Sequence, residues 1–197
     1  MSMTETAYDP LRARLDRWAE IIALGRSFDL GDPVDISILL NTANGFFNGA
    51  RYESDGIGCN EVDSWATPRE FITRDAGDCE DFAIAKYFTL RAAGMEMDQV
   101  RILYAKVMPG RIPHMVLAFY PTHDADPRIL DNLTSHIKLL SERDDLEPVY
   151  AFNEARVWLF RDDGTPADVG AASTLERWRA LLERVAAQEQ PPVGALA

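Results

Sequence analysis

The stretch that most constrains this chain is residues 77–82, Gly-Asp-Cys-Glu-Asp-Phe, in which one cysteine stands among three carboxylates. A largely apolar run follows and ends before Gly94, so the spacing predicts a helix over residues 79–93. Asp78 is a good N-cap, which places Cys79 in the first turn beside unpaired backbone N–H groups. The helix is apolar on nearly every side, which predicts that it is buried.

The charges around Cys79 oppose one another. A helix N-terminus favours the thiolate, which is the nucleophilic form of cysteine, whereas Asp78, Glu80 and Asp81 disfavour it through like charge. A bound cation would resolve the conflict, and carboxylate oxygens suit calcium rather than zinc. The remainder of a calcium shell of ~6–8 oxygens would come from backbone carbonyls, water or the loop around Asn60 and Asp63. In the alternative interpretation, the acids only cap the helix and complement its dipole.

Periodicity divides the rest of the chain into helices followed by strands. Helical patterns cover residues 9–28, 35–49 and 173–190. A further helix begins at Thr67, which is its predicted cap, with Glu70 closing a capping box. Strand patterns cover residues 100–108, 114–120, 127–130, 149–153 and 156–160. Helices followed by an antiparallel sheet predict an α+β fold. We expect one domain over residues 1–197, with a motif-bearing core at about 40–160 and a frayed tail after about 190.

Composition argues against several classes of partner. A net charge of −12 and a pI near 4.6 argue against nucleic acid and anionic membranes. No run of about 18 apolar residues occurs, so we expect no membrane span, and no signal peptide is visible at the start of the chain. The two cysteines, Cys59 and Cys79, form neither a disulfide scaffold nor a zinc motif, and a disulfide between them stays open.

A reactive cysteine needs a base to take its proton and a third group to orient that base. His114 begins a strand directly after a turn, and Asp131 ends the next short strand, so a helix packed across both strands can bring them to Cys79. His123 and His136 are the competing bases. We favour His114 because an apolar strand adjoins it and would hold its ring in place. In the alternative interpretation, these residues are an inert thiol, a strand-edge histidine and a turn.

Three segments, residues 77–83, 114–117 and 130–133, resemble the bacterial transglutaminase-like cysteine proteases of the LapG type. Residues 65–68, Trp-Ala-Thr-Pro, support the resemblance, which covers roughly residues 40–160. It implies a papain-like or transglutaminase-like α+β fold. The cysteine would lie at the N-terminus of a central helix packed on a small antiparallel sheet.

The resemblance also implies roles for individual residues. Cys79 would be the nucleophile, His114 the base and Asp131 the orienting acid. The backbone N–H of Cys79 is a candidate oxyanion donor. The indole of Trp65 is a second candidate, although this residue suits the core better.

The resemblance further implies calcium as the cofactor, with Asp78, Glu80 and Asp81 as its ligands. Proteases of this type carry out limited proteolysis in the periplasm. They cut the N-terminal region of a large cell-surface adhesin and so release the cell from a biofilm. An inner-membrane cyclic di-GMP receptor of the LapD type would be the inhibitor.

Two other functions stay open on the residues alone. One is a transglutaminase or amidase on the same scaffold, which would incorporate a supplied amine into its product. The other is a catalytically inactive binding module, in which Cys79 would react with a thiol label no faster than Cys59.

Overall fold

The structure is a computed structural model that describes residues 9–54 and 65–189. Cys59, Asn60 and Asp63 lie outside these ranges. The α-helices are α1 Pro10–Ser27, α2 Pro33–Asn48, α3 Pro68–Arg74, α4 Cys79–Ala92 and α5 Glu176–Glu189. The strands are β1 Arg51–Tyr52, β2 Ala76–Gly77, β3 Val100–Val107, β4 Ile112–Phe119, β5 Arg128–Leu130, β6 Lys138–Leu139, β7 Leu146–Phe152, β8 Arg156–Phe160 and β9 Pro166–Ala171.

The predicted α+β arrangement is confirmed. Strands β3 to β9 form one antiparallel sheet in the order β6-β5-β4-β3-β7-β8-β9, while β1 and β2 form a separate parallel pair. Helices α1 to α4 precede this sheet in the chain, and α5 follows it. Across residues 9–54 and 65–189, no helix is long and apolar enough to cross a membrane.

Local capping chemistry explains most of the helix boundaries. The predicted starts of α1, α3 and α4 are confirmed, with Asp9, Thr67 and Asp78 as their N-caps. Thr67 forms the predicted capping box, in which its own amide and that of Glu70 are both satisfied. Helix α2 starts at Pro33, two residues earlier than predicted, because Asp32 caps it.

The C-terminal helix and several short strands differ from the sequence prediction. The chain makes a 3₁₀ turn at Ala172–Thr174, so α5 begins at Glu176 rather than at Ser173. Strands β1, β2, β6 and β9 were not predicted. Three of them contain only two residues, and pairing with distant segments, rather than an alternating pattern, defines them.

Helix α4 lies at the centre of the core, as predicted. Its residues Ala83, Ile84, Tyr87 and Leu90 are at most 1% exposed. They belong to one cluster with apolar side chains of the sheet and of α1, α2 and α5. Each large apolar side chain buried in this way contributes roughly 1.5–3 kcal/mol to folding. Burial on all sides therefore holds the N-terminus of α4 in one position against the sheet.

The register between β4 and β5 brings the two predicted partners of the cysteine together. Leu117 pairs with Leu130 in this antiparallel ladder. Because the two strands run in opposite directions, the residue after Leu130 returns toward the start of β4. Asp131 therefore comes close to His114, although seventeen residues separate them in the chain.

Candidate active site

Cys79 is the first residue of α4 and lies against the beginning of β4. The backbone amide of Met115 donates a hydrogen bond to its sulfur. The Cys79 thiol also donates to Glu80 Oε2 at 3.0 Å. Met115 follows His114 directly, so the half-buried sulfur lies beside the strand segment that carries the predicted base.

The conflict of charges at Cys79 is resolved against the thiolate by the chain's own groups. Burial raises the pKa of the thiol most, and the charge and hydrogen bond of Glu80 raise it further, followed by the charge of Asp78. The amide of Met115 acts in the opposite direction but does not offset them. A group that neutralises Glu80 and Asp78 would therefore favour a reactive sulfur.

His114 and Asp131 form a buried pair. The distance between His114 Nε2 and Asp131 Oδ1 is 2.8 Å, and the two side chains are 6% and 0% exposed. Burial alone would raise the pKa of Asp131, but the hydrogen bond and charge of His114, with other donors, lower it to about 2. The ionised carboxylate accepts the Nε2 proton, which leaves Nδ1 as the ring nitrogen for a thiol proton.

Further donors hold Asp131 in place. The backbone amide of Leu133 donates to its Oδ1 at 2.9 Å, and Arg143 Nη2 donates to its Oδ2 at 2.8 Å. Arg143 is itself held by two hydrogen bonds to Asp145. The sequence analysis missed Arg143, because nothing in an acidic loop twelve residues away marks an arginine as the partner of a buried carboxylate.

The competing histidines lie elsewhere. His123 is exposed and contacts the neighbouring Asp124 at 2.7 Å. It lines a cavity of about 880 Å³ that also contains Tyr120 and Trp158 and includes no member of the predicted triad. His136 is also exposed.

The three carboxylates next to the thiol have different hydrogen-bond partners. Asp78 accepts from the Asp81 amide at 3.4 Å as the N-cap of α4, while Asp81 Oδ1 accepts from the Ala66 amide at 2.7 Å. Glu80 contacts the thiol. Among the residues that the structure describes, no three His, Cys, Asp or Glu side chains come together as a metal-binding group.

Comparison with known proteins places this geometry in a family. Residues 41–152 match the family described as bacterial transglutaminase-like cysteine proteinase BTLCP. The EGTA-treated LapG of Legionella pneumophila is 41% identical, with a TM-score of 0.78 over 90% of each chain. Its calcium-bound form is 40% identical, with a TM-score of 0.77 over 90% of this chain and 92% of that one. No match is found among curated proteins.

The chain belongs to the bacterial transglutaminase-like cysteine proteinase family. The matched segment spans more than half of the 197 residues and contains Cys79, His114 and Asp131. The resemblance inferred from the sequence is thereby confirmed, as are the transglutaminase-like fold and the assignment as a cysteine protease.

Within this family member, Trp65 is part of the core. Its ring stacks on Phe152 at 5.9 Å between centroids and meets Trp178 edge-on at 6.4 Å. The side chain is 7% exposed, and its Nε1 is buried with no hydrogen-bond partner among the described residues. Trp65 thus combines a packing role with an unused donor, so its role as an oxyanion donor stays a prediction.

Tyr52 is a second residue that the sequence analysis missed. Burial and then the charges of Cys79, Asp78 and Glu80 raise the pKa of its hydroxyl. The residue is 57% exposed and pairs with Gly77 through β1 and β2. Tyr52 therefore borders the thiol from the solvent side. A signal for it was absent from the sequence because a two-residue strand has no periodicity.

Proposed function

We propose that this protease is a calcium-dependent endopeptidase that performs limited proteolysis on the N-terminal region of a large cell-surface adhesin. Cys79 is the nucleophile, His114 the base and Asp131 the acid that orients the base. The observation that carries this assignment is the buried 2.8 Å contact between His114 and Asp131, next to the strand amide that binds the Cys79 sulfur.

The mechanism is acyl transfer to water. His114 Nδ1 takes the thiol proton, and the Cys79 sulfur forms a bond to the carbonyl carbon of the scissile peptide. As the carbon–nitrogen bond breaks, His114 returns the proton to the leaving amine. Water, deprotonated by the same ring, then attacks the thioester carbon. The carbon–sulfur bond breaks, the acid leaves, and His114 returns the proton to the Cys79 sulfur. Asp131 holds the imidazole in the required tautomer throughout.

Two donors are available to the oxyanion that forms during both attacks. The backbone N–H of Cys79 belongs to the first turn of α4, where amides have no partner within the helix. The second is the buried Nε1–H of Trp65, which has no hydrogen-bond partner among the described residues. Trp65→Phe is expected to lower kcat more than it raises KM, because this contact strengthens in the transition state.

The carboxylates around Cys79 are hard oxygen ligands of the kind that calcium prefers, although among the described residues no three of them come together as a metal-binding group. Asp78 and Glu80 supply hard oxygens on both sides of the thiol, and these two charges oppose its ionisation. Asp81 is a third proposed ligand, although its Oδ1 accepts the Ala66 amide. When bound, the ion would neutralise the acids and so favour the thiolate. The calcium-bound and EGTA-treated forms of the similar LapG support this assignment.

The similarity to LapG supports a proposal for the cellular setting. We place the protease in the periplasm, as a single domain over residues 1–197, where adhesin cleavage would release the cell from a biofilm. An inner-membrane receptor of the LapD type would sequester it when cyclic di-GMP is abundant.

The test incubates the protein with the N-terminal fragment of its host's large adhesin. Wild-type protein is expected to cut the fragment at one position, and Cys79→Ala is expected to abolish cleavage while the circular dichroism spectrum stays native. Cys59→Ala is the matched control, since Cys59 is the other of the two cysteines. Full activity of Cys79→Ala, or incorporation of a supplied amine in place of hydrolysis, would contradict the proposal.

The calcium dependence has a test of its own. EGTA is expected to stop cleavage and added calcium to restore it. Asp78→Asn keeps a good N-cap, so the stability of α4 is expected to change little while more calcium is needed for half-maximal cleavage. Indifference of the wild-type enzyme to EGTA would refute the role of the ion.

A further inference from the structure

Lys86 is a buried cation on α4 that the proposed mechanism does not use. The residue is 1% exposed, and its Nζ has no hydrogen-bond partner in the described part of the chain. Its Nζ lies over the ring of Phe82, 5.9 Å from the ring centroid. Lysine is rarely buried without a partner, because removing an ammonium group from water is costly. Lys86 therefore requires an explanation.

Its position relates Lys86 to the reactive end of the helix. It follows Cys79 by seven residues, which is about two helical turns, so both side chains leave the same face of α4. Asp131 is the acidic group whose charge acts on it. Burial lowers the pKa of Lys86 to about 7, and the charge of Asp131 acts in the opposite direction.

Two asparagines of α2 bind the chain segment that begins at Asp131. Asn48 Nδ2 donates to the Asp131 carbonyl at 2.7 Å and to the Thr134 carbonyl at 3.4 Å. Asn44 Nδ2 donates to the Ser135 carbonyl at 3.5 Å. Helix α2 thus holds the backbone of residues 131–135 through side-chain amides.

Three side-chain amide oxygens, two on α2 and one on the segment itself, have no hydrogen-bond partner among the described residues. Asn44 Oδ1, Asn48 Oδ1 and Asn132 Oδ1 are buried without a hydrogen bond to any described residue. An ammonium group has three donors, and a buried water molecule joins two to four polar groups. Three buried acceptors on and beside this segment therefore have no donor among the described residues, and Lys86 is a buried donor without an acceptor there, on which the charge of Asp131 in the same segment acts.

We propose that Lys86 is a positioning residue for the His114–Asp131 pair. Its ammonium group, joined through buried water to the unpartnered asparagine oxygens, holds residues 131–135 in place and stabilises the charge of Asp131. Asp131 then receives support from two cations, Lys86 on α4 and Arg143 before β7. The inference rests on the proposed function, in which Asp131 orients His114.

A positioning role and a purely structural role of Lys86 predict different results when the residue is replaced. The cost of removing a buried amine from water offsets what its contacts contribute to folding, and an apolar residue of similar shape is often neutral or stabilising in its place. If Lys86 only packs in the core, Lys86→Met would leave the rate of cleavage unchanged. If Lys86 positions the His114–Asp131 pair, the same substitution would lower that rate.

The experiment compares Lys86→Met and Lys86→Gln with Lys138→Met, which removes an exposed lysine of β6. With the adhesin fragment as substrate, both Lys86 variants are expected to lose roughly tenfold or more in kcat with little change in KM. Their thermal unfolding midpoint is expected to stay the same or rise. Lys138→Met is expected to behave as wild type in all three measurements.

A second readout does not depend on cleavage. In the Cys79→Ala background, proton NMR of ¹⁵N-histidine-labelled protein reports the hydrogen-bonded Nε2 proton of His114. This signal is expected to shift or to be lost by exchange when Lys86 is replaced by methionine, and to stay in place with Lys138→Met.

The proposal requires both effects. An unchanged kcat, an unchanged His114 signal, or failure of both Lys86 variants to fold would overturn it, the last by making Lys86 a structural residue. If the wild-type enzyme does not cut the fragment, the proposed function fails, and the NMR measurement alone then decides whether Lys86 positions the pair.

Discussion

Asp131 is the residue on which the candidate site depends most. Its carboxylate accepts hydrogen bonds from His114, Leu133 and Arg143, and its carbonyl accepts one from Asn48. The side chain is fully buried, yet these donors keep it ionised. A charge buried in this way links the chemistry of the site to the stability of the fold.

The acid dependence of folding is expected to reveal this charge. The folded-state pKa of Asp131, about 2, lies below the ordinary value of 3.8, so its contribution is present above pH 3.8 and is lost as the pH falls toward 2. In all it amounts to about 2 kcal/mol, of which about half is lost by pH 3. Urea unfolding of wild type and Asp131→Asn between pH 6 and pH 3 measures it.

The difference in unfolding free energy between the two proteins is expected to shrink as the pH is lowered. Asp144→Asn, at an exposed carboxylate of the same region, is the control and should show no such trend. A difference that stays constant down to pH 3 would mean that Asp131 is not ionised in the folded protein.

At the scale of elements, the entry into α4 depends on a close approach at Gly77. A Cβ at this position would lie 2.8 Å from the Asp81 Cβ and Oδ2 and 2.9 Å from a ring carbon of Phe71. Gly77 therefore lets α3 and the first turn of α4 pack together behind Cys79. This close approach explains on steric grounds why the Gly-Asp-Cys-Glu-Asp-Phe stretch begins with a glycine.

Gly77→Ala is expected to destabilise the fold by about 1–3 kcal/mol, because α3 or the first turn of α4 must shift. Cleavage should fall as well, since Cys79 lies two residues away. Gly45→Ala is the matched control, because a Cβ there meets nothing within 4 Å in the middle of α2. The control is expected to stabilise by about 0.5–1 kcal/mol. Equal stability of the two variants in urea unfolding would contradict the steric explanation.

At the scale of the whole molecule, α5 completes the core. Trp178 is fully buried against Tyr87, Phe88 and Phe152, with ring centroids 5.1–5.6 Å apart. Its Nε1 donates to the Asn153 carbonyl at 3.0 Å. A segment outside the matched residues 41–152 thus covers the helix that carries Cys79.

Trp178→Ala is expected to lower the free energy of unfolding by about 3–5 kcal/mol, because it leaves a large cavity between α4 and the sheet. Arg179→Ala, at the neighbouring exposed position, should change it by less than about 0.5 kcal/mol. Chemical denaturation followed by circular dichroism measures both. A loss below 1 kcal/mol for Trp178→Ala would show that α5 packs only loosely on the domain.

The sequence by itself determined the order of helices and strands, because caps, periodicity and turns act over a few residues. Thr67 and Asp78 were identified as caps for this reason, and Cys79, His114 and Asp131 were selected by residue type and by resemblance. Strands such as β1 and β6 escaped prediction, because two-residue strands exist only through their distant partners.

Only the tertiary structure decided how the charges are distributed. It joined Arg143 to Asp131, buried Lys86 without a hydrogen-bond partner among the described residues, and placed Glu80 against the thiol while Asp78 accepts from the Asp81 amide. These features depend on desolvation and on the tertiary contacts of each side chain. Local sequence patterns carry no information about either. The direction of the pKa shift at Cys79 is one result, since burial and Glu80, which raise the pKa, outweigh the Met115 amide, which lowers it.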